Sequence, residues 1–301
     1  MAGEIVSSVL HHVELSNLDK VLFPEDRLTK GDLVEYYRHI ADTMLPHLQG
    51  RFVSLERFPD GIYDGKFYQK QVPGYFPEWI HRIEVFLKEG GSISQTICEN
   101  KETLVYLANQ VSIPHVWLSR GDKPDYPDRM IFDLDPPDGS FEPARYTALI
   151  LREFLREVGL DSFVMTTGST GLHVAVPLDR SADFDTVRKF AKDMVDVLIR
   201  LEPDAITANP RKEDRGARMF IDIGRNAFGR TSVAPYAVRA LPGAPVAAPI
   251  DWSELREKGL NARKYTIKNI LAVREGKDDP WREIFHKAYS LDKPLRRLKM
   301  I

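Results

Sequence analysis

A single cysteine, Cys98, in 301 residues excludes an intramolecular disulfide and any cysteine-rich zinc site. No apolar run is long enough to cross a bilayer, which takes about 20 consecutive apolar residues, and the N-terminus has no apolar stretch of the signal-peptide kind. The expected setting is therefore reducing and cytoplasmic, with no membrane partner. A large excess of either charge is also lacking. The formal net charge of -2 neither supports nor excludes a polyanionic partner, because that needs only one basic face. Internal repeats and low-complexity segments are missing, which argues against a solenoid or a linker-rich chain. The 43% hydrophobic and 29% charged residues that are present suffice to bury a sizeable core, in one large domain or two small ones.

The stretch that organises the chain is Arg129-Met130-Ile131-Phe132-Asp133-Leu134-Asp135-Pro136-Pro137. In an extended strand Met130, Phe132 and Leu134 point one way, while Ile131, Asp133 and Asp135 point the other. Two carboxylates on one face repel unless a cation lies between them, and oxygen-only ligands suit Mg²⁺ or Mn²⁺. The two prolines end the strand and leave its acids at an edge. An isolated Asp-x-Asp is more often a polar strand end before a turn, so the rest of the chain must supply the decision.

Residues 12–24 read as a short strand and a turn ending at Pro24. A helix follows from Thr29, with a capping-box partner in Asp32 and Leu33, Tyr36, Tyr37, Ile40 and Met44 at helical spacing up to Pro46. Lys20 and Lys30 bracket the turn and the helix start. Together with amides freed at a helix N-terminus, two lysines can hold a phosphate, although most lysines are simply solvated. From Phe52 to Pro73 the pattern is strand, Asp60-Gly61 turn and a second strand, Lys66-Phe67-Tyr68-Gln69-Lys70, which together form a hairpin. One of the adjacent aromatics then faces away from the core, where it can serve as a base-stacking platform beside Lys66 and Lys70 or pack under a neighbouring loop. A helix over 100–110 leads to Ile113-Pro114-His115-Val116-Trp117-Leu118, where His115 also suits a core histidine with a satisfied ring, and a helix from about Pro143 to Val158 follows the aspartate strand, closed by Gly159.

Two β-rich runs, Phe163–Thr167 and Leu172–Val176, are joined by Gly168-Ser169-Thr170-Gly171. An ordinary hairpin explains this, yet such a turn exposes the amides and hydroxyls that a triphosphate needs, and His173 lies on the face away from Leu172, Val174 and Val176. A long amphipathic helix spans about Asp183 to Leu201. The basic run 209–218 reads as a mobile, solvated loop. It leads into Met219-Phe220-Ile221-Asp222-Ile223, a buried strand whose acid is costly to bury unless paired or metal-bound. A further strand carrying Arg239 spans 231–239, and the chain from Trp252 onward reads as helical, basic at its end.

Asp133-x-Asp135, the Ser169-to-His173 turn and strand, and Asp222, in that order on three strands, resemble the archaeo-eukaryotic primase superfamily. Leu18-Asp19-Lys20-Val21-Leu22-Phe23-Pro24, Thr29-Lys30-Gly31-Asp32, Phe132-Asp133-Leu134-Asp135-Pro136, Gly171-Leu172-His173 and Val233-Ala234-Pro235-Tyr236 resemble the polymerase domain of bacterial end-joining ligases, over about residues 10 to 260. The resemblance implies an α+β primase-polymerase fold with a central mixed or antiparallel sheet, RRM-like in its catalytic half and flanked by helices. It implies one catalytic domain over 1–301, with 261–301 a helical basic segment. It further implies a DNA/RNA polymerase and primase that extends primers or fills gaps at DNA breaks with a bias toward ribonucleotides. Two ions, Mn²⁺ or Mg²⁺, would be held by Asp133, Asp135 and Asp222. By the same resemblance Lys70, His115, Thr167, Ser169, His173 and Arg239 bind the nucleotide, and Asn17, Lys20 and Lys30 grip a downstream 5′-phosphate. Phe67, Tyr68 and Arg218 contact DNA. The implied partners are DNA with breaks, gaps or overhangs, NTPs or dNTPs, Ku and a separately encoded DNA ligase.

Two positions depart from the pattern: Thr170 stands where lysine is usual, and Glu56 precedes Arg57 where a basic pair is common. The same acids would also suit a metal-dependent phosphodiesterase, in which they activate water. A non-catalytic DNA-end-binding module is the other alternative.

Overall fold

The computed structural model describes residues 13–86, 90–137 and 139–300. His12, the first residue of the expected N-terminal strand, lies outside them. In chain order the first half comprises β1 (Val21–Phe23), β2 (Leu28–Thr29), α1 (Lys30–Leu48), β3 (Phe52–Arg57), β4 (Phe67–Gln69), β5 (Arg82–Phe86), β6 (Ser92–Ile97), α2 (Lys101–Asn109) and β7 (Ser112–Trp117). The second half comprises β8 (Arg129–Asp135), α3 (Phe141–Val158), β9 (Phe163–Thr166), β10 (Leu172–Pro177), α4 (Phe184–Leu201), β11 (Ile206–Thr207), β12 (Met219–Asp222), β13 (Thr231–Val233), β14 (Ala248–Ile250), α5 (Ile270–Arg274) and α6 (Asp292–Leu298).

Two larger sheets result, which makes the fold α+β. One has the order β11-β12-β8-β10-β9-β14, antiparallel except for the β11–β12 pair; the other runs β13-β7-β3-β6-β5, with β4 also on β3. The aspartate strand β8 is central in the first sheet, between β12 and β10. Its alternation is the one expected of a strand with one apolar face. Met130, Phe132 and Leu134 are fully buried, as are Leu172, Val174 and Val176 of β10. Helices α3 and α4 pack against these strands, through Ala148, Leu151 and Leu155 of α3 and Val187, Phe190 and Met194 of α4. Each large aliphatic or aromatic side chain buried here contributes about 1.5–3 kcal/mol. The opposite face, away from α3 and α4, carries the acids.

The helix ends follow the sequence signals. Thr29 and Asp32 form a full capping box, Asn100 and Asp183 cap α2 and α4 by accepting amide hydrogens, and Gly159 closes α3 in the left-handed conformation. Each side-chain cap is worth about 1 kcal/mol. Pro46 does not end α1. It lies in the last turn, where a missing N–H costs little, and the helix runs on to Leu48.

Gly171 fixes the β9–β10 hairpin against β8, because a Cβ there would lie 1.7 Å from the Leu134 carbonyl oxygen. Backbone cannot yield as a flexible side chain would. Gly171→Ala is therefore expected to destabilise the fold by about 2–4 kcal/mol, read as a lower denaturation midpoint at unchanged m-value. A change under about 0.5 kcal/mol would show that the two strands separate more readily than their pairing indicates.

Other expectations are corrected by tertiary structure. The first expected strand shrinks to β1, with residues 13–20 irregular or in a turn. β3 and β4 do pair as a hairpin, but a nine-residue connection, 58–66, joins them rather than a tight turn. The strand expected over 231–239 stops at Val233, since Pro235 cannot donate to a ladder, so Arg239 follows on irregular backbone. Beyond Trp252 only the two short helices α5 and α6 and two 3₁₀ turns form, the rest being turns and coil.

Candidate active site

The register of the first sheet assembles the acids. Asp222 of β12 pairs with Asp133 of β8, and His173 of β10 pairs with the same Asp133 from the other side. Directly paired residues share a face, and Asp135 joins them two residues along. The four side chains thus lie on the face away from α3 and α4, as the alternation predicts.

Their electrostatics are those of crowded acids. Asp133 is buried; burial alone would raise its pKa, but His173 and Arg225 outweigh that and hold it below the usual value. His173 Nε2 lies 3.3 Å from one Asp133 oxygen and Arg225 Nε donates to the other at 3.3 Å. For Asp135 the balance goes the other way: burial first, then the charges of Asp133 and Asp222, outweigh the pull of His173 and Arg225 and push it up to about 6. Asp222 accepts from the Gly224 amide at 2.6 Å. Arg225 is the cation of this cluster: burial works against its charge, but Asp133 and Asp222 more than restore it.

Oxygen donors repelling one another in this way are the chemistry a hard divalent cation relieves, so Asp133, Asp135 and Asp222 fit the role expected of them. Among the described residues, however, no three such side chains converge closely enough to form a ready-made metal group. Arg225 supplies the counter-charge instead.

A cleft of about 180 Å³ opens from Asp133 and Asp135 toward the second sheet. Tyr68, His115, Thr167, Ser169, Thr170, His173, Arg225 and Arg239 line it with Thr231 and Val233. Five of the six expected nucleotide residues thus meet in one place. Lys70 does not line it and stands exposed. Two amides of the Gly168–Gly171 turn are not offered as supposed: those of Ser169 and Gly171 donate to Thr167 Oγ1, each at 3.3 Å. The turn therefore presents side-chain hydroxyls, while Arg239 donates to the Thr167 carbonyl at 3.0 Å and Arg263 to that of Ser169 at 2.9 Å. The ring of His173 also reaches Ser232 Oγ of β13, 3.4 Å from its Nδ1, which ties the two sheets together at the cleft.

Phe67 and Tyr68, one of which was expected to face outward, are both exposed, at 48% and 57%. Arg57 lies over the Phe67 ring, 5.6 Å from its centroid, and Tyr68 meets His115 edge-on at 5.4 Å. The basic run is self-ordered rather than merely solvated. Arg215 is buried over the Phe220 ring at 3.8 Å, and Arg218 donates to the carbonyls of Asp214 and Arg215.

Asn17, Lys20 and Lys30 form a separate cluster. The Lys20 amide donates to the Asn17 carbonyl, and Lys20 Nζ is paired with Asp60 at 2.6 Å. The helix-end amides are not free, since those of Lys30 and Gly31 donate to Lys20 and Leu18 carbonyls and that of Asp32 to Thr29 Oγ1. An anion here would meet side chains only. Lys30 is buried, and burial, then the charges of Lys20 and Arg57, lower its pKa. Asp60 answers Lys20, but Lys30 still feels the charges of Lys20 and Arg57, which an anion would relieve.

Sequence reasoning passed over Arg225 and Arg263 as partners of the site. Nothing in their local pattern marks them, because both act on strands and turns remote in the chain.

The family model described as "LigD, primase-polymerase domain" matches residues 29–281, which hold both sheets and the whole cleft. The chain belongs to the LigD primase-polymerase domain family. The multifunctional non-homologous end joining DNA repair protein LigD of Mycobacterium tuberculosis (strain ATCC 25618 / H37Rv) is 32% identical over 274 residues, 88% of this chain and 36% of that protein. Its counterpart from Mycolicibacterium smegmatis is 32% identical over 257 residues, 84% of this chain and 34% of that protein. The chain thus spans about a third of the length of these LigD relatives. A solved structure, the polymerase domain from Mycobacterium tuberculosis ligase D in complex with DNA, superposes with a TM-score of 0.86 at 30% identity, covering 92% of this chain and 99% of that one. The match confirms the LigD polymerase-domain fold expected from the sequence. The family model begins at Thr29, so Lys30 falls inside it, while Asn17 and Lys20 precede it.

Proposed function

We propose that this chain is a nucleotidyltransferase, a polymerase and primase of the end-joining type that adds nucleotides to a primer at DNA gaps and breaks. The observation that carries this function is the placement of Asp133, Asp135 and Asp222 on one face, the first two at a cleft whose other walls include hydroxyls, histidines and arginines. The hydroxyl beside His173, that of Ser232, is buried and also donates to the Val233 carbonyl, so it is not presented as a nucleophile. Nucleotidyl transfer needs none, because it asks mainly for positioning and charge neutralisation.

Two divalent ions, Mn²⁺ or Mg²⁺, held by the three aspartates would neutralise charge on the attacking and leaving oxygens. The chain's own residues do the rest. Arg239, with Ser169 and Thr167, binds the triphosphate, and His173, fixed between Asp133 and Ser232, orients it. Arg225 balances the acids until the site is loaded. Tyr68 and Phe67 stack against bases, Arg218 contacts the DNA, and Asn17, Lys20 and Lys30 grip the 5′-phosphate across the gap. Lys70 would reach the nucleotide only by moving toward the cleft. Templated addition, a ribonucleotide bias, a cytoplasmic setting, and action with Ku and a separate ligase, within one domain over 1–301, complete the proposal.

A duplex with a short gap, its downstream strand with or without a 5′-phosphate, tests the end-joining assignment. Wild type is expected to bind and fill the phosphorylated gap better, because a terminal dianion relieves the Lys20–Lys30–Arg57 repulsion. Lys20→Ala with Lys30→Ala is expected to lose the preference, about thirtyfold with each of the two charge-assisted contacts worth on the order of 1 kcal/mol, yet keep extension on an open primer-template. Equal preference in mutant and wild type would remove the 5′-phosphate role.

A further inference from the structure

Glu56 is a buried acid, 1% exposed, beside His115 and Tyr68 of the cleft. The ladders explain its placement. On β3, Ser54 pairs with His115 of β7, and Glu56, two residues on and on the same face, pairs with Ile113 of β7 and Tyr68 of β4. Its neighbours on that face are therefore the two aromatic groups that line the cleft. One carboxylate oxygen lies 3.2 Å from His115 Nε2 and the other 2.6 Å from Lys66 Nζ. His115 is itself buried, whereas Lys66 is half exposed at the mouth. A buried ion pair is poor evidence of added stability, since desolvation consumes most of the Coulombic gain. It is good evidence of fixed geometry.

We propose that Glu56 is a positioning residue of the nucleotide site, which fixes the ring orientation and tautomer of His115. An ionised carboxylate only accepts, so His115 must carry its hydrogen on Nε2, and Nδ1 becomes the ring's acceptor. The edge-on contact with Tyr68 at 5.4 Å then holds the ring plane from the other side. Lys66 occupies the second oxygen and so leaves the carboxylate one geometry toward His115. The ligand class is the nucleoside triphosphate of the proposed function, on which this inference rests, and His115 meets that ligand with a preset acceptor.

Two measurements decide it. Long-range ¹H–¹⁵N correlation on histidine-labelled, nucleotide-free wild type is expected to show His115 as the Nε2–H tautomer. The Nδ1–H form, or an even mixture, overturns the proposal without any mutation. Direct binding of ATP is then compared among wild type, Glu56→Gln, His115→Ala and the double variant, with unfolding midpoints as the folding control. Glu56→Gln is expected to weaken binding about tenfold in wild type but less than about twofold on the His115→Ala background. Equal losses on both backgrounds, or no ATP binding by wild type, overturn the proposal. Failure of primer extension with the coupling intact would count against the polymerase function and leave the Glu56–His115 relation standing.

Discussion

Asp135→Asn is expected to abolish nucleotide addition, by on the order of 10³-fold, and at the same time to stabilise the metal-free protein near neutral pH. Burial and the charges of Asp133 and Asp222 raise the Asp135 carboxyl to about 6 in the folded chain, against about 3.9 unfolded. A raised carboxyl disfavours the folded state wherever it is ionised there. The cost is present in full above about pH 6, is relieved as the pH falls, and is gone below about pH 4, where both states are protonated. Asparagine removes that cost, on the order of 1–2 kcal/mol once partial exposure is discounted. The unfolding midpoint of Asp135→Asn should therefore exceed wild type near pH 7.5 and converge with it near pH 4. Added Mn²⁺ should raise the wild-type midpoint and leave the variant's nearly unchanged. A variant less stable than wild type at neutral pH would mean that Asp135 is a structural acid rather than one held ready for a cation.

The second large effect concerns Asn226, a fully buried amide one residue past Arg225. Its Oδ1 accepts from the Ile131 amide at 2.8 Å and its Nδ2 donates to the Ile131 carbonyl at 2.7 Å and to Ile223 at 3.1 Å. β12 pairs with β8 only over Asp133–Asp135, so the Asn226 side chain continues the ladder where the strand has ended. Asn226→Ala would leave both polar groups of Ile131 buried and unmatched, two residues before Asp133. Each such loss costs about 1–3 kcal/mol, so a total of about 3 kcal/mol is expected, with faster amide exchange at Ile131. A cost below about 1 kcal/mol with unchanged exchange would show that other groups replace the clamp. Asn226→Asp should be no better, since it removes the donor to the Ile131 carbonyl.

Asn226 also marks the limit of what the sequence reveals. The strands β8, β10 and β12 were legible because alternation puts apolar residues on one face and acids or histidine on the other, and that pattern is local. The capped helices α1, α2 and α4 were legible for the same reason. Asn226, Arg225 and Arg263 act on groups tens of residues away, so their surroundings in the chain say nothing of their roles. β5 and β6 carry a weaker signal: Ile83 and Val85 of β5 alternate with Arg82 and Glu84 over only five residues, and β6 sets serines, a glutamine and a threonine between Ile93 and Ile97. The amides of the Gly168–Gly171 turn and of the α1 start were misjudged in one way: turn composition shows that N–H groups are exposed to pairing, not which partner wins. At both places an intramolecular acceptor, Thr167 Oγ1 or the 18–20 turn, had already taken them. Glu56 was visible only as a charge in an unusual place. Its meaning came from the β3–β7 register.

The central claim is that Asp133, Asp135 and Asp222 form one centre for nucleotide addition rather than for hydrolysis or for passive DNA binding. Wild-type protein with a gapped duplex carrying a labelled primer, divalent metal present and nucleotide supplied or withheld, tests it most directly. A primer lengthened only when nucleotide is supplied, and unchanged in length without it, is the predicted result. A primer shortened in the absence of nucleotide, or bound and never altered in either case, would contradict it.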